Sequence, residues 1–336
     1  MDHKKLREKA LVNEKLIMAS LELTEVCNLS CLHCYIPKKK STLSIDKAKK
    51  IIDKLHIMGV IYLTLTGGEI FSYKHFIEVY LYAKSKGFII SLMTNGTLLN
   101  SRIKKALSKY KPFDVSISIY GLNPNDYIMF TGKNGYKNLV DGLNYLYSES
   151  IPFNLKTVLV KSNYSSAING LYEDLAKNYG KTMTYDPIIF GRKDGDTTSI
   201  NERLSVNEIT KFEESFIDSK EFWENAVSER TSEESIKCGG GLSSLSIDST
   251  GYISICSLNV KNKFDFLTNS DEKVINFLKN SHAEMQNRFN NSPCYKCKSK
   301  SICRWCSAYA HLENNSHINA IPFFCELTDA RIKTFA

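Results

Sequence analysis

Ala19-Ser-Leu-Glu-Leu-Thr24-Glu-Val-Cys27-Asn-Leu-Ser-Cys31-Leu-His-Cys34-Tyr35 opens with a short apolar run and closes on three cysteines. The run Ala19–Thr24 has the alternation of a half-buried strand. The cysteines follow it at once, spaced CxxxCxxC. At a cysteine frequency of about 0.03, chance yields this triad in about one chain in a hundred. Three soft thiolates this close together can close on one iron–sulfur cluster or on one zinc ion. No fourth ligand lies nearby, so one metal position would be open to something that is not protein.

Downstream the same strand type recurs at Val60–Thr66, Phe88–Thr94, Phe113–Ile119, Phe153–Val160 and Met183–Ile189, each rich in branched and aromatic residues. Between them lie amphipathic runs. In Ile45–Met58 the apolar side chains fall three or four apart, and Ser44 stands ready as N-cap. Phe76–Lys86, Ser101–Tyr110, Leu139–Tyr147 and Ala167–Tyr179 read the same way, and Gly59 and Gly87 sit where helices should stop. Strand–helix alternation implies a parallel sheet with right-handed crossovers. Six units are too few for a closed eight-stranded barrel. The expected fold is therefore α/β: a partial (β/α)6 TIM-like barrel over 18–200, with its chemistry at the C-terminal ends of the strands.

The remainder reads differently. Residues 1–17 form a basic N-terminal segment. Residues 201–237 form a helical bridge, with an amphipathic helix at Ser205–Val227 and a polar connector at Ser228–Ser235. Residues 238–336 are loop-rich and dense in cysteine. Ser244–Ser257 reads as a hairpin turning at Asp248-Ser-Thr-Gly251. A tail of this kind has little core, and bound metal would staple it.

At 43% hydrophobic and 24% charged, the composition is that of a globular protein and excludes collagen-like and disordered classes. Met1–Lys15 lacks a signal-peptide core and the apolar runs are too short to span a bilayer, so a cytoplasmic, non-membrane protein is expected. Ten cysteines in such a compartment point to metal or catalysis before disulfides. The net charge of +8 suits an acidic peptide partner, with short reach at physiological salt.

The strand-then-CxxxCxxC arrangement resembles the radical S-adenosylmethionine (SAM) superfamily. The resemblance implies that Cys27, Cys31 and Cys34 bind a [4Fe–4S] cluster whose fourth iron chelates SAM. Reductive cleavage of SAM then gives a 5′-deoxyadenosyl radical that abstracts hydrogen from a substrate. The cofactor supplies the hard chemistry, while the protein orients it and excludes water. Thr66-Gly67-Gly68-Glu69 resembles the family's GGE segment, which implies contact of Gly67, Gly68 and Glu69 with the SAM amino group. By the same resemblance Asn95 (in Thr94-Asn-Gly-Thr97), Ser118 and Arg192 are implied SAM contacts, and His33 is placed near adenine.

The other seven cysteines all follow residue 237: Cys238, Cys256, Cys294, Cys297, Cys303, Cys306 and Cys325. Two CxxC pairs alone are compatible with a zinc ribbon, although ribbons usually have a longer gap and no outlying cysteines. The full pattern resembles the SPASM extension of radical SAM enzymes, including Gly251-Tyr-Ile-Ser-Ile-Cys256 as its GxxxxC. One departure is Cys303-Arg-Trp-Cys306, a residue shorter than usual. The resemblance implies an outer auxiliary [4Fe–4S] cluster on Cys294, Cys297, Cys303 and Cys325. It implies an inner one on Cys238, Cys256 and Cys306, with a fourth ligand unassigned. Three [4Fe–4S] clusters then use all ten thiols.

No spare thiol remains to return a hydrogen atom, which weighs against radical epimerisation. Ser257 stands where sulfatase-maturing relatives carry Asp, which weighs against that activity. The expectation is an oxidoreductase that matures a ribosomally made precursor peptide by oxidative crosslinking. It would be served by a low-potential donor such as flavodoxin or ferredoxin, and by a separate leader-binding protein if a leader is needed. Tyr185-Asp-Pro187 and Gly191-Arg-Lys-Asp-Gly195 resemble segments of such maturases. The alternatives are small-molecule cofactor biosynthesis of haem-like or quinone type, and a zinc-ribbon nucleic-acid-binding protein. The main reading involves no nucleic acid. No catalytic residue beyond the cofactor contacts is assigned.

Overall fold

The computed structural model describes residues 3–37, 40–228, 238–259 and 261–336. Six parallel strands follow in chain order: β1 (Met18–Glu22), β2 (Tyr62–Thr66), β3 (Ile89–Thr94), β4 (Asp114–Ser118), β5 (Phe153–Val158) and β6 (Met183–Asp186). Each pairs with the next, with β6 at the open edge. This is the partial TIM-like barrel that the alternation implies. The strands differ from their apolar runs at the ends: β2 and β3 start one or two residues later, whereas β5 and β6 stop earlier, and Ile188 and Ile189 after β6 line the rim.

The crossover helices are set by local chemistry. Ile45–Ile57 is capped by Ser44, whose side chain accepts from Lys47 N, and buries Ala48, Ile51, Ile52 and Leu55. Gly59 and Gly87 follow helix ends with φ of +83° and +86°, a region that favours glycine. Two helices differ from expectation. The run Ala167–Tyr179 divides into Tyr164–Ile168 and Leu171–Lys177 at left-handed Gly170, and Ser205–Val227 divides into Val206–Ser215 and Ile217–Ser228 at extended Phe216. Pro124–Thr131 is a helix the sequence reading omitted. Asn123 caps it by accepting from Asn125 N and Asp126 N, each at 3.0 Å. Of the connector Ser228–Ser235, all but Ser228 lies outside the described residues.

The tail continues the sheet. β7 (Ser244–Ile247) pairs parallel with β1, and β8 (Tyr252–Ser254) and β9 (Phe264–Asp265) follow antiparallel, completing a nine-stranded sheet. The turn lies where the sequence places it. Asp248 Oδ1 accepts from Thr250 N at 2.9 Å and Tyr252 N at 3.1 Å, and Gly251 takes φ +88°. The tail also holds more helix than its cysteine density implies: Asp271–Asn290, Ser307–Asn314 and Pro322–Phe335. The first buries Val274, Leu278, Met285 and Phe289 at helical spacing against the same core as the barrel.

Candidate active site

The rim loop after β1 is fixed on two sides. The backbone of Gly68 donates to Thr24 O at 2.6 Å, and that of Glu69 to Val26 O at 3.0 Å. A Cβ on Gly67 would overlap the Thr24 carbonyl oxygen, and one on Gly68 would come within 2.5 Å of the Glu25 and Val26 oxygens. These glycines are therefore required by the cysteine loop itself, which only a backbone without side chains can approach this closely. On the far side Ser30 N donates to Thr131 O at 2.8 Å, which ties the loop to helix Pro124–Thr131.

Cys27, Cys31 and Cys34 line a cavity of about 260 Å³ at the C-terminal ends of the strands. Gly67, Gly68, Asn95, Ser118 and His33 line it too, together with Thr66, Met93, Tyr120, Asp186 and Phe190, to which the sequence assigns no site role. Strand-end position was the available signal for those five. Asn95 is a brace: its Nδ2 donates to Asn28 Oδ1 at 2.9 Å and its Oδ1 accepts from Thr97 N at 3.0 Å. His33 packs against the stacked pair Tyr120 and Phe130, with both ring centroids at 5.1 Å from its own. Its Nδ1 is sealed without a partner, and burial lowers the ring pKa to about 4, so it is a neutral wall. Asp186 opens to the cavity, yet the protein around it raises its carboxyl above the ordinary range, against a hydrogen bond from Ile188 N.

Two residues stand differently from what the resemblance implies. Glu69 is fully buried behind the cavity wall. Its Oε1 accepts from Thr94 Oγ1 at 2.7 Å and Phe71 N at 3.0 Å, and its Oε2 from Asn95 N at 2.7 Å. It thus braces the end of β3, and both oxygens are engaged within the protein. Arg192 faces Asp194, donating through Nε and Nη2 at 3.1 Å each.

All ten cysteines are free thiols. Burial raises Cys31 well above the ordinary thiol range, with Cys34 and Cys27 adding, and raises Cys27 as well. Six tail cysteines, Cys238, Cys294, Cys297, Cys303, Cys306 and Cys325, line a second cavity of about 510 Å³. Burial pushes Cys294 up to about 11, and Cys303, Cys325 and Cys297 add to it. Burial likewise pushes Cys306 up to about 11, with Cys256 and Cys238 adding. Cys294 thus feels Cys303, Cys325 and Cys297, and Cys306 feels Cys256 and Cys238.

Among the described residues, no group of three or more His, Cys, Asp or Glu side chains is placed to hold a single metal ion. A cluster presents a separate iron to each thiolate, so its ligands surround a volume and do not meet at one point. Thiols raised in this way, as Cys31, Cys294 and Cys306 are, ionise more readily beside a cation, which iron supplies. The rim triad fits such a centre with one position open to a ligand that is not protein, and the tail cysteines are of the same donor type.

The family model for the radical SAM superfamily matches residues 21–173. This stretch, with the cysteine triad at the mouth of a parallel partial barrel, is a radical SAM domain of an enzyme. Among curated relatives, the chain is 37% identical over 121 residues to the antilisterial bacteriocin subtilosin biosynthesis protein AlbA of Bacillus subtilis (strain 168), covering 35% of this chain and 27% of AlbA. It is 34% identical over 164 residues to the AdoMet-dependent heme synthase of Methanosarcina barkeri (strain Fusaro / DSM 804), covering 47% of this chain and 46% of that one. The chain thus spans less than half the length of these two relatives. Among solved structures, Streptococcus suis SuiB bound to S-adenosylmethionine superposes with a TM-score of 0.72 at 15% identity, over 96% of this chain and 80% of SuiB. At that identity the likeness is one of fold. No helix among the described residues is long and apolar enough to cross a membrane.

Proposed function

We propose that this enzyme matures a ribosomally made precursor peptide by hydrogen abstraction followed by oxidative crosslinking. The observation that carries this reading is the rim triad lining a cavity at the strand ends, with six of the seven tail cysteines lining a second cavity. Similarity to AlbA, named for bacteriocin biosynthesis, supports a peptide substrate. Cys27, Cys31 and Cys34 would hold the SAM-binding [4Fe–4S] cluster. Cys294, Cys297, Cys303 and Cys325 would hold one auxiliary cluster, and Cys238, Cys256 and Cys306 the other. Bound there, SAM and the clusters supply radical generation and electron acceptance.

The chain's own residues do the rest. Gly67 and Gly68 seat the triad loop and offer backbone to the cavity. Asn95 and Ser118 present polar groups from two neighbouring strands. His33, Tyr120 and Phe190 give an apolar wall that excludes water. Residues 18–200 would form the catalytic barrel, 201–237 a bridge and 238–336 the auxiliary-cluster unit, with 1–17 as a basic N-terminal segment. A low-potential flavodoxin or ferredoxin would deliver electrons, and a separate protein would present any leader. The place of work would be the cytoplasm.

Similarity to the AdoMet-dependent heme synthase favours a second reading, oxidation of a tetrapyrrole side chain. Anaerobic reconstitution tests the cluster count, at about eleven to twelve irons per chain for three clusters. Mass spectrometry of peptides encoded beside the gene, incubated with enzyme, SAM and reductant, tests the reaction. A loss of two hydrogens supports crosslinking. Turnover of an iron coproporphyrin and of no peptide establishes the second reading, and bound zinc without SAM cleavage overturns both.

A further inference from the structure

A second polar chamber of about 460 Å³ adjoins the SAM cavity and shares Tyr35, Thr66 and Met93 with it as a common wall. Ser257, next in sequence to Cys256, also lines it, as does Tyr35, next to Cys34 of the rim triad. Three carboxylates and two ammonium groups face it, an excess of one negative charge. Two of the carboxylates are already engaged. Asp248 pairs with Lys263 at 2.7 Å, and Glu25 accepts from Ser41 N at 2.9 Å and Ser41 Oγ at 2.6 Å. Among the described residues no close donor holds Glu22, the last residue of β1, in this way. Lys193 Nζ stands 3.9 Å away, beyond hydrogen-bond reach, although the two side chains are only 12% and 10% exposed. Lys193 rests instead over the Tyr35 ring at 5.1 Å.

A nearly buried carboxylate without a close donor is costly unless something supplies one. We propose that Glu22 selects the substrate: the chamber takes a peptide side chain bearing an N–H donor, cationic or amide, which docks on the Glu22 carboxylate beside the SAM cavity. This rests on the peptide-maturase reading and adds to it a residue that decides which side chain is presented for reaction. An aliphatic side chain of the same length would fill the space and leave Glu22 unpaired, which is the asymmetry that gives polar sites their discrimination. Burial holds the Glu22 carboxyl above its ordinary range. Lys193 and Lys263 oppose this while Glu25 and Asp248 add to it, and Tyr35 is the remaining titratable group on the shared wall.

The test is anaerobic calorimetry of the reconstituted holoenzyme with SAM, using peptides Ac-Gly-Gly-Xaa-Gly-Gly-NH2 in which Xaa is Lys, Arg, Gln or norleucine. At least one donor-bearing peptide should bind ten times more tightly than the norleucine peptide. That preference should shrink below threefold in Glu22→Gln and should grow as pH rises and Glu22 ionises. Ser246→Met, which fills the chamber from β7, should weaken all four peptides and serves if Glu22→Gln does not fold. Equal binding of the norleucine peptide, no binding at millimolar concentration, or a preference unchanged in Glu22→Gln overturns the proposal. Formation of 5′-deoxyadenosine with the same peptides is scored separately. Its absence counts against the maturase reading, whatever the binding preference.

Discussion

Replacing Glu69 by Gln separates a bracing role from direct contact with SAM. The carboxylate accepts three hydrogen bonds, from Thr94 Oγ1, Phe71 N and Asn95 N. An amide has one accepting oxygen. Placed at Oε1 it sets its NH2 against the Asn95 N–H, and placed at Oε2 it sets its NH2 against the Phe71 N–H. Either way one buried backbone donor loses its acceptor and one charge-assisted bond is lost, at a cost of about 2–4 kcal/mol. A chain of 336 residues unfolds with an entropy of about 0.7 kcal/mol/K, so Tm should fall by about 3–6 °C. Thermal unfolding followed by far-UV circular dichroism reads this. Thr94→Val should be non-additive with Glu69→Gln, because both act on the one hydrogen-bond network around the Glu69 carboxyl group. Equilibrium dialysis of SAM on the reconstituted enzyme should show a smaller effect, passed through Asn95. An unchanged Tm together with a more than tenfold loss of SAM affinity would refute the bracing role and restore the direct ion pair.

Other substitutions follow from contacts of the same kind. Gly67→Ala drives a methyl group into the Thr24 carbonyl, and should cost about 3 kcal/mol and lower iron loading at the rim triad, read by iron assay. Arg331→Met strands Glu213, with which Arg331 makes a bidentate pair at 2.5 and 2.9 Å at side-chain exposures of 3% and 5%. That should cost about 3–5 kcal/mol, and Glu213→Leu on top should recover much of it, as chemical denaturation would show. Cys303→Ala and Cys325→Ala should each remove about four irons, and the double variant no more than either alone. Cys306→Ala with Cys325→Ala should remove about eight. Additive loss within the set of four would break the grouping.

Much of the barrel was legible because buried parallel strands are continuous apolar runs and their crossover helices carry a 3.6-residue period. Ser44, Gly59, Gly87 and the Asp248–Gly251 turn act through neighbours in the chain, so their roles were legible as well. What escaped depended on partners far away in sequence. Helix Asp271–Asn290 is apolar on one narrow stripe in a segment dominated by cysteine and polar residues. The pairing of β7 with β1 joins residues more than two hundred positions apart, which no local pattern encodes. The site residues divide in the same way. The cysteines were found by spacing, whereas Asp186, Tyr120 and Phe190 became visible only once six strand ends formed one rim.

By itself the sequence determined the donor inventory: ten thiols in fixed spacings, a two-glycine turn after the second strand, and the order of strand and helix. These are properties of a one-dimensional string and of the short-range geometry it forces. Tertiary structure alone decided direction and company. It turned Glu69 inward to brace β3, where the motif implies contact with the amino group of SAM, and it engaged Arg192 with Asp194. It also left Glu22, an ordinary polar position in a strand, loosely paired in a polar chamber that adjoins the triad cavity. The reason is that burial and hydrogen bonding depend on everything that surrounds a side chain, and the surroundings exist only after the chain has closed on itself.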